Sequence, residues 1–451
     1  MTATEPVTTG DAYAAIRDEL RSWLDDNWDA DLTVAEWWDR LGTAGWVAPT
    51  WPEEWFGKGM SRDEANVVSE EIGAYGALGA PGGLGLLLAG PTIATHGSDE
   101  QKSKYLRDIV TGQQGWCQLF SEPNAGSDLA SLQTRAIKDG DEWVVSGQKV
   151  WTSAGHVADL GMLIARTDVD VPKHQGITYF ALPMHQDSRV DVRPLKEITG
   201  RALFNEVFLE EARVGDDAMI GGLNNGWAVT NTTLAFERAG LGAGGGSAAA
   251  SAAVPGTVMG HLDRRAGDFV SARADTKASN TKKKSGGGGG GAMFGAAEKM
   301  LVQLAQGNGT AQDPSIRQDL MRLHSLNEIA RYTNLRMKAA KAAGKGPGPA
   351  ANTAKLSMSR IVRLSRDVGL RILGPQGMLH AYEGEDRAGL DAATGNPFAG
   401  MVTEMALFAQ APPIYGGTDE IQKNIIGERV LGLPKEANQF KTTAFRDLPK
   451  N

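Results

Sequence analysis

The chain has 451 residues but a single cysteine, Cys117. One cysteine can neither close an internal disulfide nor build a multi-cysteine metal site, so a reducing, cytoplasmic setting is expected. Histidine is scarce as well. Seven are scattered without metal-ligand spacing, which argues against a metal centre. No Gly-x-Ser-x-Gly elbow is present, so acyl-enzyme chemistry has no recognisable nucleophile. Basic charge is in short supply too: the net charge is −8 at pH 7, and nucleic acid is not expected as a partner. The N-terminus lacks the basic start and apolar core of a secretory signal. One uncharged stretch, Gly73 to Gly97, is long enough to test as a membrane span. Its many glycines and alanines and its two prolines fit a buried helix pair with a tight turn better, so no span is expected.

What is present is ordinary for a globular protein: 41% apolar and 22% charged residues, with length for two or three domains. Residues 1–115 read as an N-terminal helical domain, with apolar residues recurring at three and four (Tyr13, Ile16, Leu20, Trp23, Leu24). A Pro- and Trp-rich loop, "GWVAPTWPEEWFGKGMS", interrupts them, and helix resumes where Ser61 and Glu64 have capping-box spacing. From 116 to 218, short β-branched and aromatic runs between Gly, Asp and Pro predict an antiparallel middle β domain. From 219 to 451 helical periodicity returns. Helices, then strands, then helices imply a mostly α fold with a central β domain, not an alternating Rossmann chain. Near 272–291 the composition turns to Gly, Ser, Ala and Lys, which predicts a mobile insertion. Its Lys282, Lys283 and Lys284 read as solvated loop charges, with an anion contact as the alternative.

Three stretches offer chemistry. "LFSEPNAGSDLASL", Leu119 to Leu132, is a turn whose small hydroxyl-bearing residues let a ligand approach the backbone. "GQKVWTSAG" puts the indole of Trp151 next to Thr152 and Ser153, which suits a flat heteroaromatic cofactor and equally a strand with a core tryptophan. "TTLAFERAGLG" sets Glu237 and Arg238 among Leu234, Phe236 and Leu241. Desolvation there would raise a carboxyl's pKa toward that of a general base; a Glu–Arg pair on a solvated helix face fits the same pattern.

These blocks, "CQLFSEPNAGSDLASL" with "GQKVWTSAG", "LAFERAG" and "IYGGTDEIQKNIIGERVLGLP", stand in the order of the acyl-CoA dehydrogenases, which the chain resembles over nearly its whole length. The resemblance implies a C-terminal four-helix bundle after the β domain. It also implies an FAD flavoprotein of lipid metabolism, with fatty acid β-oxidation chemistry. Such an enzyme oxidises an acyl-CoA to the trans-2-enoyl thioester, a base taking the α-proton while hydride leaves Cβ for flavin N5. Carried over by position, Ser153 is expected at flavin N5, Trp151 against the ring, and Phe120 and Ser121 at its pyrimidine side. Thr418 and Glu420 fall where the family binds the ADP half. Gly374 and Gly377 of "LGPQGML" fall where it meets a neighbouring subunit's flavin pyrophosphate. Ser127 is expected along CoA, with Arg238, Tyr415 and Gly416 completing the substrate-binding set.

Many members carry the base in a Tyr-Glu-Gly-Thr motif; here that motif reads Tyr415–Gly416–Gly417–Thr418. Isovaleryl- and long-chain-type members place it on the first long C-terminal helix just before an Arg, which here is Glu237 before Arg238. Glu237 is therefore the expected base, and Gly416 leaves room for branched, bulky or steroid-derived acyl groups. Glu383 of "HAYEGEDR" imitates the motif without its Thr and reads as a surface residue. The family's Arg-x-x-Phe-Gly segment is replaced by "HLDRRAGDFVSARAD", with Arg264 or Arg265 as the candidate substitute. The expected partners are an acyl-CoA substrate, an electron-transfer flavoprotein and further copies in a dimer or homotetramer. Two alternatives share the fold: an acyl-CoA oxidase, and a non-catalytic subunit of a heteromeric dehydrogenase.

Overall fold

Capping decides where the first helices begin. The computed structural model describes residues 9–242, 253–270, 290–343, 350–382, 384–396, 398–437 and 439–449. Most of the stretch expected near 272–291, Lys282 to Lys284 within it, and Glu383 lie outside these residues; a helix begins at Gly290. Five helices come first: α1 (Thr9–Asn27), α2 (Val34–Thr43), α3 (Arg62–Tyr75), α4 (Gly90–His96) and α5 (Asp99–Val110). Reciprocal capping boxes start three of them, at Thr33/Glu36, at Ser61/Glu64 as expected, and at Ser98/Gln101. Their shared core holds Leu20, Leu24, Trp37, Trp38 and Leu41. The two buried indoles donate to the Leu78 and Gly79 carbonyls at 2.6 and 2.9 Å.

The Gly73–Gly97 stretch differs from the expected helix pair. α3 stops where Gly76 takes φ 91°, and the chain re-enters as one π turn, Gly85–Ala89, continuous with α4. Pro91 has no N–H to donate within the helix, and Gly90 N–H reaches back five residues to the Gly85 carbonyl. Among the described residues, no helix is long and apolar enough to cross a membrane.

The strands are β1 (Trp116–Leu119), β2 (Arg135–Asp139), β3 (Glu142–Ser153), β4 (Leu160–Arg166), β5 (Ile177–Pro183), β6 (Val190–Leu195), β7 (Phe204–Gly215) and β8 (Met219–Ile220). They form one sheet in the order β6-β7-β3-β2-β4-β5-β8, with β1 on β4. Most pairs are antiparallel, but β1 and β2 run parallel to β4. Every residue of β4 is buried, as its continuous apolar run requires. The β3–β7 register slips between Lys149 and Thr152, which pushes Trp151 out of the regular pleat.

After the sheet comes α6 (Gly226–Gly242), then long helices Gly290–Gly307, Pro314–Ala342 and Ala350–Leu373, and short ones Gly384–Thr394, Ala399–Phe408 and Asp419–Arg429. Leu301, Leu323, Ile361, Val368 and Val402 form their core. Two segments leave this bundle. Residues 253–270 run along the N-terminal helices, where Arg264 O accepts from Val34 N–H at 2.8 Å and Leu262 O from Ala35 N–H at 2.9 Å. Ala253, Leu262, Ala266 and Phe269 belong to the N-terminal core. Arg265 pairs with Asp31 at 2.9 Å and the Arg264 guanidinium covers Phe269, so both candidate arginines are engaged beside the N-terminal helices. The C-terminal tail returns to the β domain, with Phe445 N–H donating to Val171 O at 2.9 Å and its ring stacked on Arg166.

Candidate active site

β1 joins two corners of the site. At its end, Ser121 O accepts from Val150 N–H at 2.9 Å, which brings the Ser121 turn beside Trp151. Trp151 sits on the β3 bulge at φ 60°, a left-handed backbone that a bulky residue rarely adopts. Its indole meets the Phe204 edge at 5.9 Å yet stays 61% exposed. Ser153 follows two residues on, opposite Phe204. An exposed aromatic face beside a hydroxyl fits a flat cofactor ring. Nearby Thr152 Oγ1 and Asn205 Oδ1 are buried without a protein partner. The Phe120 ring is buried edge-on against Tyr179, which leaves the residue's backbone toward the Ser121 turn.

The Ser121 turn is held from behind. Glu122 accepts from Gln133 N–H at 2.6 Å, Thr134 N–H at 3.0 Å and Lys149 Nζ at 2.8 Å. Lys149 is fully buried and also donates to Phe120 O at 3.1 Å. Burial alone would raise the Glu122 carboxyl, but the Lys149 charge and these donors outweigh it and hold it below the usual carboxylate range. Ser127 is exposed on this turn, next to Asp128, which pairs with Lys173 at 2.6 Å.

The second corner is on α6. Glu237 keeps some exposed surface, but burial is the largest influence on its carboxyl and raises its pKa. Two influences oppose the rise: the Gln118 amide, which donates from β1 to Glu237 Oε2 at 3.3 Å, and the Arg238 charge. One turn earlier on the same face, Thr233 Oγ1 meets Thr92 Oγ1 at 3.0 Å and Tyr179 OH at 3.3 Å, fixing α6 against α4 and β5. His96 Nε2 adds a contact to Thr232 at 2.8 Å. The π turn packs against both α6 and β1, so the carboxylate lies where all three parts of the chain meet.

The remaining expected residues fall on the C-terminal helices. Thr418 caps the Asp419–Arg429 helix, its Oγ1 accepting from Ile421 N–H at 3.1 Å. Glu420 is exposed, 3.7 Å from Lys423. Tyr415 is partly buried, its ring 6.4 Å from Phe408. Gly416 and Gly417 take φ 63° and 80°, and Gln422 Nε2 donates to Gly416 O at 3.1 Å. At its far end, Arg429 lies near enough to Arg238 of α6 for the two like charges to repel. Gly374 and Gly377 lie elsewhere, after the Ala350–Leu373 helix; Gly377 lines a cleft of about 350 Å³ with Arg366, His380, Tyr382 and Thr403. Gln118, Glu122 and Lys149 escaped the sequence reading as site residues. The signal for Gln118 was a lone polar side chain in an apolar strand.

Known proteins resemble the chain throughout. Family models match for the acyl-CoA dehydrogenase N-terminal domain at residues 11–113, the middle domain at 117–211 and the C-terminal domain at 287–431. α6, with Glu237 and Arg238, and the 253–270 segment fall between the last two matches. The acyl-CoA dehydrogenase IpdE1 of Mycobacterium tuberculosis (strain ATCC 25618 / H37Rv) is 33% identical over 444 residues, covering 93% of this chain and 98% of that one. Mitochondrial isovaleryl-CoA dehydrogenase of Pongo abelii is 32% identical over 208 residues, 46% of this chain and 49% of that one. Among solved structures, the Tcur3481-Tcur3483 steroid ACAD superposes with a TM-score of 0.65 at 26% identity, covering 97% of this chain and all of that one.

Proposed function

Since the chain belongs to the acyl-CoA dehydrogenase family of FAD-dependent oxidoreductases, we propose that it desaturates the Cα–Cβ bond of a bulky, steroid-derived acyl-CoA, with Glu237 as the base. The observation that carries this reading is the Glu237 carboxylate, raised by burial at the meeting of α6, β1 and the π turn. A carboxylate with a raised pKa is a stronger base, and one near working pH balances basicity against the ionised fraction. Glu237 takes the α-proton, while the Arg238 charge and the Gln118 amide favour its ionised form. FAD, when bound, supplies the two-electron acceptor for the hydrogen leaving Cβ.

Trp151 and Ser153 would hold the ring, with the Ser121 turn beside them and Ser127 along CoA. Thr418 and Glu420 would serve the ADP half, and Gly374 and Gly377 a neighbouring subunit's pyrophosphate. Gly416 and Tyr415 would border the acyl group. The steroid reading draws on the likeness to the Tcur3481-Tcur3483 steroid ACAD and on the absence of a side chain at Gly416. Electrons would pass to an electron-transfer flavoprotein, from a homo-oligomer in the cytoplasm.

The test is anaerobic titration with straight, branched and steroid-derived acyl-CoA thioesters, following flavin absorbance in wild type and Glu237→Gln. Bleaching by the steroid thioester in wild type alone supports both parts; bleaching only by short straight chains sinks the substrate class. A second reading, an obligate two-chain assembly, is favoured by the paired name of the solved relative. It predicts that the chain purified alone is colourless and turns yellow only with a partner chain.

A further inference from the structure

Glu237 is met by an amide from another domain. β1 has four residues, of which Trp116, Cys117 and Leu119 are buried and apolar. Side chains alternate along a strand, so Gln118 shares its face with Trp116. That face looks at the π turn: a Cβ on Gly85 would lie 3.2 Å from Trp116 Cδ1. An amide there loses water and needs a partner, and what it meets is Oε2 of Glu237 at 3.3 Å.

We infer that Gln118 is a positioning residue for α-proton abstraction: its N–H engages Glu237 Oε2, so that Oε1 faces the α-carbon, and it favours the ionised base. This rests on the reading of Glu237 as the base. In the step, the Cα–H bond breaks, the proton passes to Oε1 and the electron pair stays on carbon; Gln118 exchanges nothing. A donor to a carboxylate stabilises the charged form and loses strength when that oxygen pair is protonated.

Other groups around α6 are already engaged or act elsewhere. Arg238 is the charge whose field reaches Glu237, and Arg429 acts on Arg238. From α4, His96 is bonded to Thr232; from β5, Tyr179 is bonded to Thr233. The π turn, Gly85–Ala89, has no ionisable residue. The Ala350–Leu373 helix carries Lys355, Arg360, Arg363, Arg366, Asp367 and Arg371; Lys355 and Arg363 are tied to Asp419 at 3.2 and 3.0 Å.

The experiment uses the flavin-loaded enzyme as wild type, Gln118→Met, Gln118→Glu and Glu237→Gln, with kcat/KM measured against pH on the thioester that bleaches wild type. Methionine keeps length and removes the donor. The acid limb should move up by about one pH unit, with the alkaline plateau retained. Glutamate at 118 adds a like charge and should move the limb further in the same direction, which keeps the test intact if the methionine variant fails to fold. An infrared titration of the Glu237 carboxylate band, identified by its loss in Glu237→Gln, should shift in parallel without any turnover. A merely structural role would lower kcat equally at every pH, and an unmoved limb and band in both variants overturns the inference. Should Glu237→Gln keep the wild-type rate and limb, the base reading itself is what fails.

Discussion

Glu122 follows the short strand β1 and Glu237 is met by Gln118 from within it, yet their environments drive them in opposite directions. Glu122 has a buried ammonium and two backbone N–H groups, which more than offset its desolvation. Glu237 has one amide and a neighbouring guanidinium, and desolvation prevails. The first is a fixed charge that braces a turn. The second is a charge the protein leaves partly uncompensated, which is what a proton acceptor needs. Carboxylate chemistry here is decided by whether donors and counter-charge outweigh the cost of burial.

The sharpest way to break the contrast is Glu237→Gln. It removes the acceptor and should slow substrate-dependent flavin bleaching by about 10³-fold, within the span of general-base contributions, with flavin content unchanged. Next in size is Lys149→Met, which leaves Glu122 buried without its counter-charge. It should cost about 3–5 kcal/mol in denaturant unfolding, and the turn carrying Ser121 should loosen enough to lower flavin affinity.

A third test uses pH. Because the folded-state pKa of Glu122 lies below the ordinary 4.5, its contribution is present above 4.5 and is lost as pH falls through the folded value. The stability gap between wild type and Glu122→Gln should therefore close on acidification. The smallest effect has the opposite sign. Glu237 is raised above 4.5, so its contribution is present below 4.5 and is lost as pH rises through the folded value. Glu237→Gln should melt slightly higher than wild type at pH 8 and no higher at pH 4, read by scanning calorimetry. A dead variant more stable than its parent would mark the cost of keeping the base ready.

Local grammar was legible in the sequence. The Ser61/Glu64 capping box forms because it depends on residues three apart, and the strand-rich stretch forms one sheet because each run's β-branched and aromatic residues favour extended backbone. The parallel β1–β4 pairing was not, since an edge-short strand carries no mark of its partner's direction. Gln118 stood in view, but its meaning depends on a residue 119 positions away. The π turn hides similarly: a glycine-rich run before Pro91 announces a break, not its hydrogen-bond step. The surroundings of Arg264 and Arg265 were hidden for another reason, because charge pattern says nothing about which domain the strap formed by residues 253–270 will lie on.

That strap has a consequence for how the protein is made. The core around Trp37 and Trp38 includes Ala253, Leu262, Ala266 and Phe269, which leave the ribosome more than two hundred residues later. The N-terminal helices therefore cannot seal their own interior during synthesis. They wait, with apolar surface open, until the sheet and α6 have been threaded out, and closure requires a long-range contact formed late. The helical module at the front of the chain is finished from the back.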